Sequence, residues 1–333
     1  LKRFGCVSAR MQELGDTELT AAATSFSTYF LFWQGRFTDV VESYEKSAPE
    51  VLKHPVGHFP ILASTILGHS YAIVGQVTQG LGMLDAVRSY CLQGPDRYLA
   101  CYATWGIGMV MLSLQRVEDA VSYFSSAVKE AKKSGNHIVS HNTNLPLAYA
   151  HYLRGNRRLA VRYVREFLRV GGGVPQVNIL LYPYLSALSW AMEKGDFPPI
   201  PGLELRKVIR QMLGIRNIFA KGTAFRYRAL LGLRQGWPGS KVIRSFRFSI
   251  RCYEKSGDLI ACTMARLDLA RYYLSAGYDE EGRQEVRDAS QALTPTHADL
   301  IPDDLRAISL NRNSEETVLQ EILKMGRDMM ATH

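Results

Sequence analysis

Small and apolar residues return along the chain in a fixed order around a turn position that recurs about every forty residues. The turns fall at Gly35, Gly75, Gln115, Gly155, Gly195, Gly236 and Gly277, at intervals of 40, 40, 40, 40, 41 and 41 residues. Leu67-Gly68-His69-Ser70-Tyr71 leads into the second turn, and Gly108 leads into the third, with Ala120, Phe124 and Ala127 after it. Around the seventh stand Leu269-Ala270 and Tyr273, then Gly282, Val286 and Ala289; the fourth keeps Ala148 and Ala160, the first Tyr44. This pattern predicts pairs of antiparallel helices. A small residue on one helix lets its partner approach closely, and an aromatic fills the space left between pairs. Glycine at the turn takes a positive φ without steric cost. One pair cannot hide its apolar face alone, so neighbours must stack. The expected fold is all-α: a right-handed superhelical solenoid of about seven helical hairpins over residues 19–293.

The spacing of small and aromatic residues around each turn resembles the tetratricopeptide repeat (TPR). A standard unit has about 34 residues. Here the units are longer, with the additional residues in the helices and in loops such as Ser134-Gly135-Asn136-His137 and Ser256-Gly257-Asp258. Longer units of this kind resemble those of bacterial multidomain signalling regulators. Examples are the maltose-regulon activator family and the large kinases or activators that join an ATPase domain to repeats. Gly257-Asp258-Leu259-Ile260-Ala261-Cys262, followed by Ala265-Arg266-Leu267-Asp268-Leu269-Ala270, is similar to the last repeat of the second group. The resemblance implies a regulatory or sensor region of a transcription regulator or kinase, which binds a ligand or protein partner and controls an adjacent domain. A general TPR scaffold for protein–protein interaction is the alternative, and nucleic-acid binding a third.

The chain begins with Leu1 rather than Met, which reads as a piece of something longer, and residues 1–18 read as the remnant of a truncated repeat. Thr294-Pro295-Thr296 ends the last repeat, and residues 294–313 read as a linker. Over residues 314–333 the pattern predicts an amphipathic helix, capped by Ser314 and with Val318, Ile322, Met325 and Met329 on one side. It either folds back on the last repeat or leads to a missing output domain.

Composition narrows the class. At 47% apolar and 21% charged residues the chain is that of a folded protein. No apolar run reaches the roughly 18 residues of a membrane span, so the expected location is cytoplasmic, with no membrane partner. The five cysteines, Cys6, Cys91, Cys101, Cys252 and Cys262, form no CxxC pair and read as reduced thiols. The formal charge of +9 is unevenly spread: residues 151–255 hold 20 Lys and Arg against 5 Asp and Glu, an excess of 15 that leaves the remainder at −6. Such segregation attracts anionic partners to the middle of the molecule.

Catalytic chemistry finds no support. Gly171-Gly172-Gly173 lacks the GK[ST] that holds phosphates in a nucleotide loop and reads as an inter-repeat loop. Pro55 and Gly57 interrupt the pair His54/His58, and His137 of the pair His137/His141 lies by a loop glycine with no acidic residue near it in sequence, so neither reads as a metal site. No nucleophile motif surrounds any Ser, Cys or carboxylate. No catalytic residue, metal or cofactor is expected. Two candidate surfaces remain. Arg154, Arg158, Arg162, Arg165 and Arg169 form a stripe in the fourth unit, and Arg244, Arg247 and Arg251 one in the sixth. Each stripe is either a solvated helix face or a docking surface for acidic protein, lipid headgroups or nucleic acid. In TPR arrays the first helix of each unit lines a concave groove. Carrying the repeat offsets over gives Tyr102, Trp105 and Met109 in the third unit, Asn142, Tyr149 and Tyr152 in the fourth, Tyr182 and Tyr184 in the fifth, and Arg226 in the sixth. A row of amphipathic aromatics with an Asn and an Arg suits a small-molecule or peptide ligand; ordinary packing between repeats is the other account.

Overall fold

The computed structural model describes residues 17–47, 61–94, 96–169 and 178–292, with positions 10, 13 and 15 besides. The expectations for the remnant repeat, the triglycine loop, His54, His58, Cys6, the linker and the C-terminal helix lie outside the described residues, apart from those three isolated positions. Every regular element among the described residues is a helix.

Neighbouring helices pack in pairs. Helix α1 (Thr17–Trp33) lies against α2 (Phe37–Ser47), α3 (Ile61–Ile73) against α4 (Val77–Gln93), and α5 (Ala100–Ser113) against α6 (Val117–Ser134). A short α7 (His137–Asn142) then breaks into α8 (Asn144–Leu153), because Pro146 has no N–H to give the Asn142 carbonyl. Helix α9 (Arg157–Arg169) packs on α8. After α10 (Tyr182–Lys194) and α11 (Leu205–Gly214) come the pairs α12 (Ile218–Arg234) with α13 (Gly239–Ser256) and α14 (Leu259–Ser275) with α15 (Asp279–Ala292).

All seven expected turn positions have a positive φ: 72° at Gly35, 97° at Gly75, 58° at Gln115, 74° at Gly155, 87° at Gly195, 66° at Gly236 and 80° at Gly277. Each ends the first helix of a pair with the same bond: the amide of the next residue donates to the carbonyl five residues back, at 2.8–3.0 Å (Arg36 to Leu31, Gln76 to Tyr71 and so on to Tyr278 to Tyr273). Gln115 is the one non-glycine with positive φ among the described residues. The small-against-large packing is equally direct. A Cβ on Gly108 would stand 2.7 Å from the Phe124 ring, and one on Gly80 would stand 2.6 Å from the Gly68 carbonyl.

The fifth pair departs from the pattern. After Gly195 the chain runs through Phe197-Pro198-Pro199-Ile200-Pro201, where three prolines in four positions remove the N–H groups that the interior turns of a helix need, so α11 starts late and is short. Phe197, Ile200 and Leu203 are buried and tie this loop to the core.

The array also curls back on itself. The Ile218 amide donates to the Gln34 carbonyl at 2.8 Å, and Asn217 Nδ2 donates to the Trp33 carbonyl at 2.9 Å, across 184 residues of sequence. Phe37 meets Phe219 edge-on at 5.5 Å. Gly75 abuts Leu259, and Gly257 abuts Thr38 and Val74. The first two turns therefore seal against the start of α12 and the α13–α14 loop. In an open array the first helices face solvent on their concave side; here α3 and α5 are buried nearly all round.

Candidate functional site

Closing the coil converts the expected groove into a chamber of about 210 Å³. Its wall takes residues from the first helices of six successive pairs, from α3 to α14. One side is apolar, with Ile73, Met109, Leu153 and Pro183. On the other side stand Arg226 and Tyr227 from α12, Tyr253 from α13, and Asp258 at the start of α14.

The polar groups are held in place by one another. Arg226 Nε donates to Asp268 Oδ2 at 2.6 Å, and Arg271 reaches the other oxygen of Asp268 at 3.3 Å. Burial opposes the Arg226 charge, but the Asp268 carboxylate and the neighbouring tyrosines hold it, and the net direction is upward. Tyr253 Oη donates to Thr223 Oγ1 at 3.1 Å. Burial raises the phenol pKa of Tyr149, Tyr184, Tyr227 and Tyr253, so these are neutral donors and acceptors. Asp258 caps α14, its Oδ1 accepting from the Ala261 amide at 2.8 Å, and burial pushes its carboxyl up to about 6. His69 is pushed down to about 4 by burial and is neutral; its Nε2 is buried without a partner.

A cavity of about 150 Å³ lined by aliphatic and aromatic groups admits benzene. The chamber is somewhat larger and adds a guanidinium, four phenols and a carboxyl. It has the size and polarity for a small amphipathic molecule with an apolar body and one polar end. No protein-family model matches this chain, and no curated protein matches it. Among the described residues no group of His, Cys, Asp and Glu is placed to hold a metal ion, and no helix is long and apolar enough to cross a membrane.

Of the groove residues expected from the repeat offsets, Met109, Tyr149, Tyr184 and Arg226 meet at the chamber. Trp105 is buried behind it, edge-on to His69 at 5.8 Å, with Nε1 unpartnered. Tyr152 turns away to pack on Phe197, and Tyr182 is buried outside the lining. Tyr102 and Asn142 are half-buried and do not reach the chamber. The offsets assume an open groove, and closure moves the lining toward the ends of the first helices. They missed His69, Thr223, Tyr227, Tyr253, Asp258 and the Asp268 that pairs with Arg226. Asp268 and Arg226 are 42 residues apart, one repeat, and that spacing of opposite charges is the sequence signal for the pair.

The arginine stripes separate as well. Arg158, Arg162, Arg165 and Arg169 share an open cleft of about 800 Å³ with Arg157, where the carboxylates are Glu166 and Asp196. Glu166 pairs with Arg169 and Asp196 with Lys194. Arg154 precedes α9 instead of lying on it, and pairs with Glu118 at 2.9 Å. In the sixth unit Arg244 is exposed, Arg247 donates to Tyr273 Oη at 3.2 Å, and the Arg251 guanidinium lies 4.5 Å over the Phe248 ring. All three are exposed along α13.

Among the described residues four cysteines are free; Cys91, Cys101 and Cys262 are buried and Cys252 is half-buried. His141 stacks on Phe167 at 4.9 Å, which gives it a packing role, while His137 is exposed.

Proposed function

We propose that this chain is a right-handed solenoid of about seven TPR-like hairpins acting as the sensor region of a bacterial signalling protein, a transcription regulator or kinase. It binds rather than catalyses. The observation that carries the reading is the chamber: six units contribute to it, so a small molecule inside contacts most of the coil at once. A ligand that binds the closed coil more tightly than a loosened one shifts the balance between them, and an adjacent domain reads the change in pitch. The resemblance of the last repeat to the ATPase-and-repeat regulators supports the same reading.

The test uses thermal unfolding with a panel of small aromatic and aliphatic acids and alcohols, such as benzoate and indole. At least one should raise the midpoint of the native chain and leave Ala187→Phe, whose side chain fills the chamber, unmoved. Small-angle scattering should show the bound coil more compact. A panel without effect on the native chain, or with equal effect on Ala187→Phe, rejects the chamber as the sensor.

A further inference from the structure

A second cleft lies on the outside of the seam where the coil closes, and its chemistry differs from that of the chamber. It measures about 750 Å³ and collects Arg36 from the first turn, Arg216 and Lys221 from the start of α12, and Arg251 and Lys255 from α13. These five cations face a single carboxylate in the lining, Asp39, and Arg36 already engages it at 2.5 Å. Arg216, Lys221, Arg251 and Lys255 have no ion-pair partner among the described residues.

The cations are gathered by the fold, not by chance exposure. Arg36 is brought beside α12 by the seam contacts, among them the bonds of Gln34 and Trp33 to Ile218 and Asn217 and the ring contact of Phe37 with Phe219. Arg251 is held against Phe248, whose other face stacks on Phe225 at 5.2 Å. The thiol of Cys252 sits among Lys221, Lys255 and Arg251, close enough for all three to oppose the upward push of its burial. Like charges brought together from two ends of a chain repel unless an anion lies between them. A concave cleft of this volume is in the range of small-molecule sites, whereas an extended macromolecule meets open, convex charge.

We propose that the seam cleft binds a small anion with linked phosphate groups. A single phosphate carries about two negative charges, and would leave much of the cleft's excess uncompensated; two linked groups match it and span both sides of the seam. Guanidinium groups on both sides suit forked hydrogen bonds to phosphate oxygens. Because Arg36 belongs to the first pair and the other cations to the sixth, the bound anion fastens the coil shut. This inference does not depend on the chamber holding a ligand.

The experiment is a titration of the 333-residue chain with pyrophosphate, ATP and inorganic phosphate, each against sodium chloride at equal ionic strength, followed by thermal unfolding and calorimetry. Pyrophosphate at about a hundredfold its dissociation constant should raise the midpoint by several degrees beyond the salt control, with inorganic phosphate weaker. ATP binding as well identifies a nucleotide tail as the source of the linked phosphates; pyrophosphate binding alone identifies the free ion. The charge reversals Lys221→Glu, at a half-buried position, and Lys255→Glu, at an exposed one, should together abolish the shift, Lys221→Arg should keep it, and Arg158→Glu with Arg162→Glu on α9 should leave it intact. A shift reproduced by sodium chloride, or retained in the double reversal, or lost in the α9 variant, overturns the assignment.

Discussion

Helices α3 and α5 face the chamber from one side, α12 and α14 from the other. The first two contain no Asp, Glu, Lys or Arg, and nearly every residue of α5 from Ala100 to Leu112 is buried. The second two hold Lys221, Arg226, Arg228, Arg266, Asp268 and Arg271. Both sides are enclosed by the same closure. The difference shows two ways of meeting it: remove charge, or pair buried charges with each other, as Arg226 with Asp268 and Arg266 with Glu285. The second way leaves a polar wall, on which Arg226 and Asp258 stand.

The sharpest way to break the contrast is to strand a charge on the polar side. Asp268→Leu leaves Arg226 and Arg271 without their shared carboxylate, and should cost about 3–5 kcal/mol. Replacing both members, Arg226→Met with Asp268→Leu, should restore most of that by making α12 and α14 resemble α3 and α5. Urea unfolding of the single and double variants decides it. Equal losses in the two would show that the pair adds stability beyond neutralising its own burial.

The two sides also titrate in opposite senses. Asp258, raised from 3.8 to about 6, binds its proton more tightly folded than unfolded, so its carboxylate form weakens the fold as pH rises from about 4 to 6. His69, lowered from 6.5 to about 4, is the reverse: the stability of its neutral form is complete above 6.5 and is lost as pH falls toward 4. The two slopes offset each other between pH 4 and 6. Asp258→Asn keeps the helix cap and removes one slope. It should be more stable than the native chain at pH 7, by about 3 kcal/mol, and should converge with it near pH 4. Its stability should then climb from pH 4 to 6.5 on the His69 term alone. A flat profile in the variant would place the His69 titration elsewhere.

The period of the turns was legible because the conformation it encodes is local. A first helix that must stop with a left-handed residue selects glycine, and six of seven positions have it. Helix pairing was legible for the same reason, through Gly108 beneath Phe124. Closure was not. It depends on contacts such as that of Asn217 with Trp33, 184 residues apart, and no single residue records it; the uncharged α3 and α5 were its nearest signature. The site inherits that limit. Offsets for an open groove found Arg226 and Tyr149, whose positions are set by their own helices, and missed Asp258 and His69, which matter only because distant turns seal beside them. The late start of α11 was written in Pro198, Pro199 and Pro201, which the period of forty passes over.

A finer test compares turns rather than walls. Nothing lies within 4 Å of a Cβ placed on Gly155, so Gly155→Ala isolates the backbone cost of φ 74°; about 1 kcal/mol is expected. Gln115 already bears that cost at φ 58°. Gln115→Gly should therefore stabilise, by less than about 1 kcal/mol, since glycine also frees the unfolded chain. Thermal unfolding of the two variants should move in opposite directions. Movement in the same direction would mean that the Gln115 side chain holds its turn by a contact that offsets the strain.

The smallest effect is expected outside. Arg158 and Arg162 on α9 carry the same charge as Arg226 but lie in an open cleft with water beside them. Arg158→Ser with Arg162→Ser should leave the unfolding midpoint nearly unchanged at moderate salt. At low salt it should raise it slightly, because like charges on one face repel until ions screen them. Arg226 should show no such salt dependence, since its partner is Asp268 rather than solvent. If instead the α9 variant loses stability at every salt concentration, its guanidiniums are held by the protein, and the outer stripe belongs with the buried pairs.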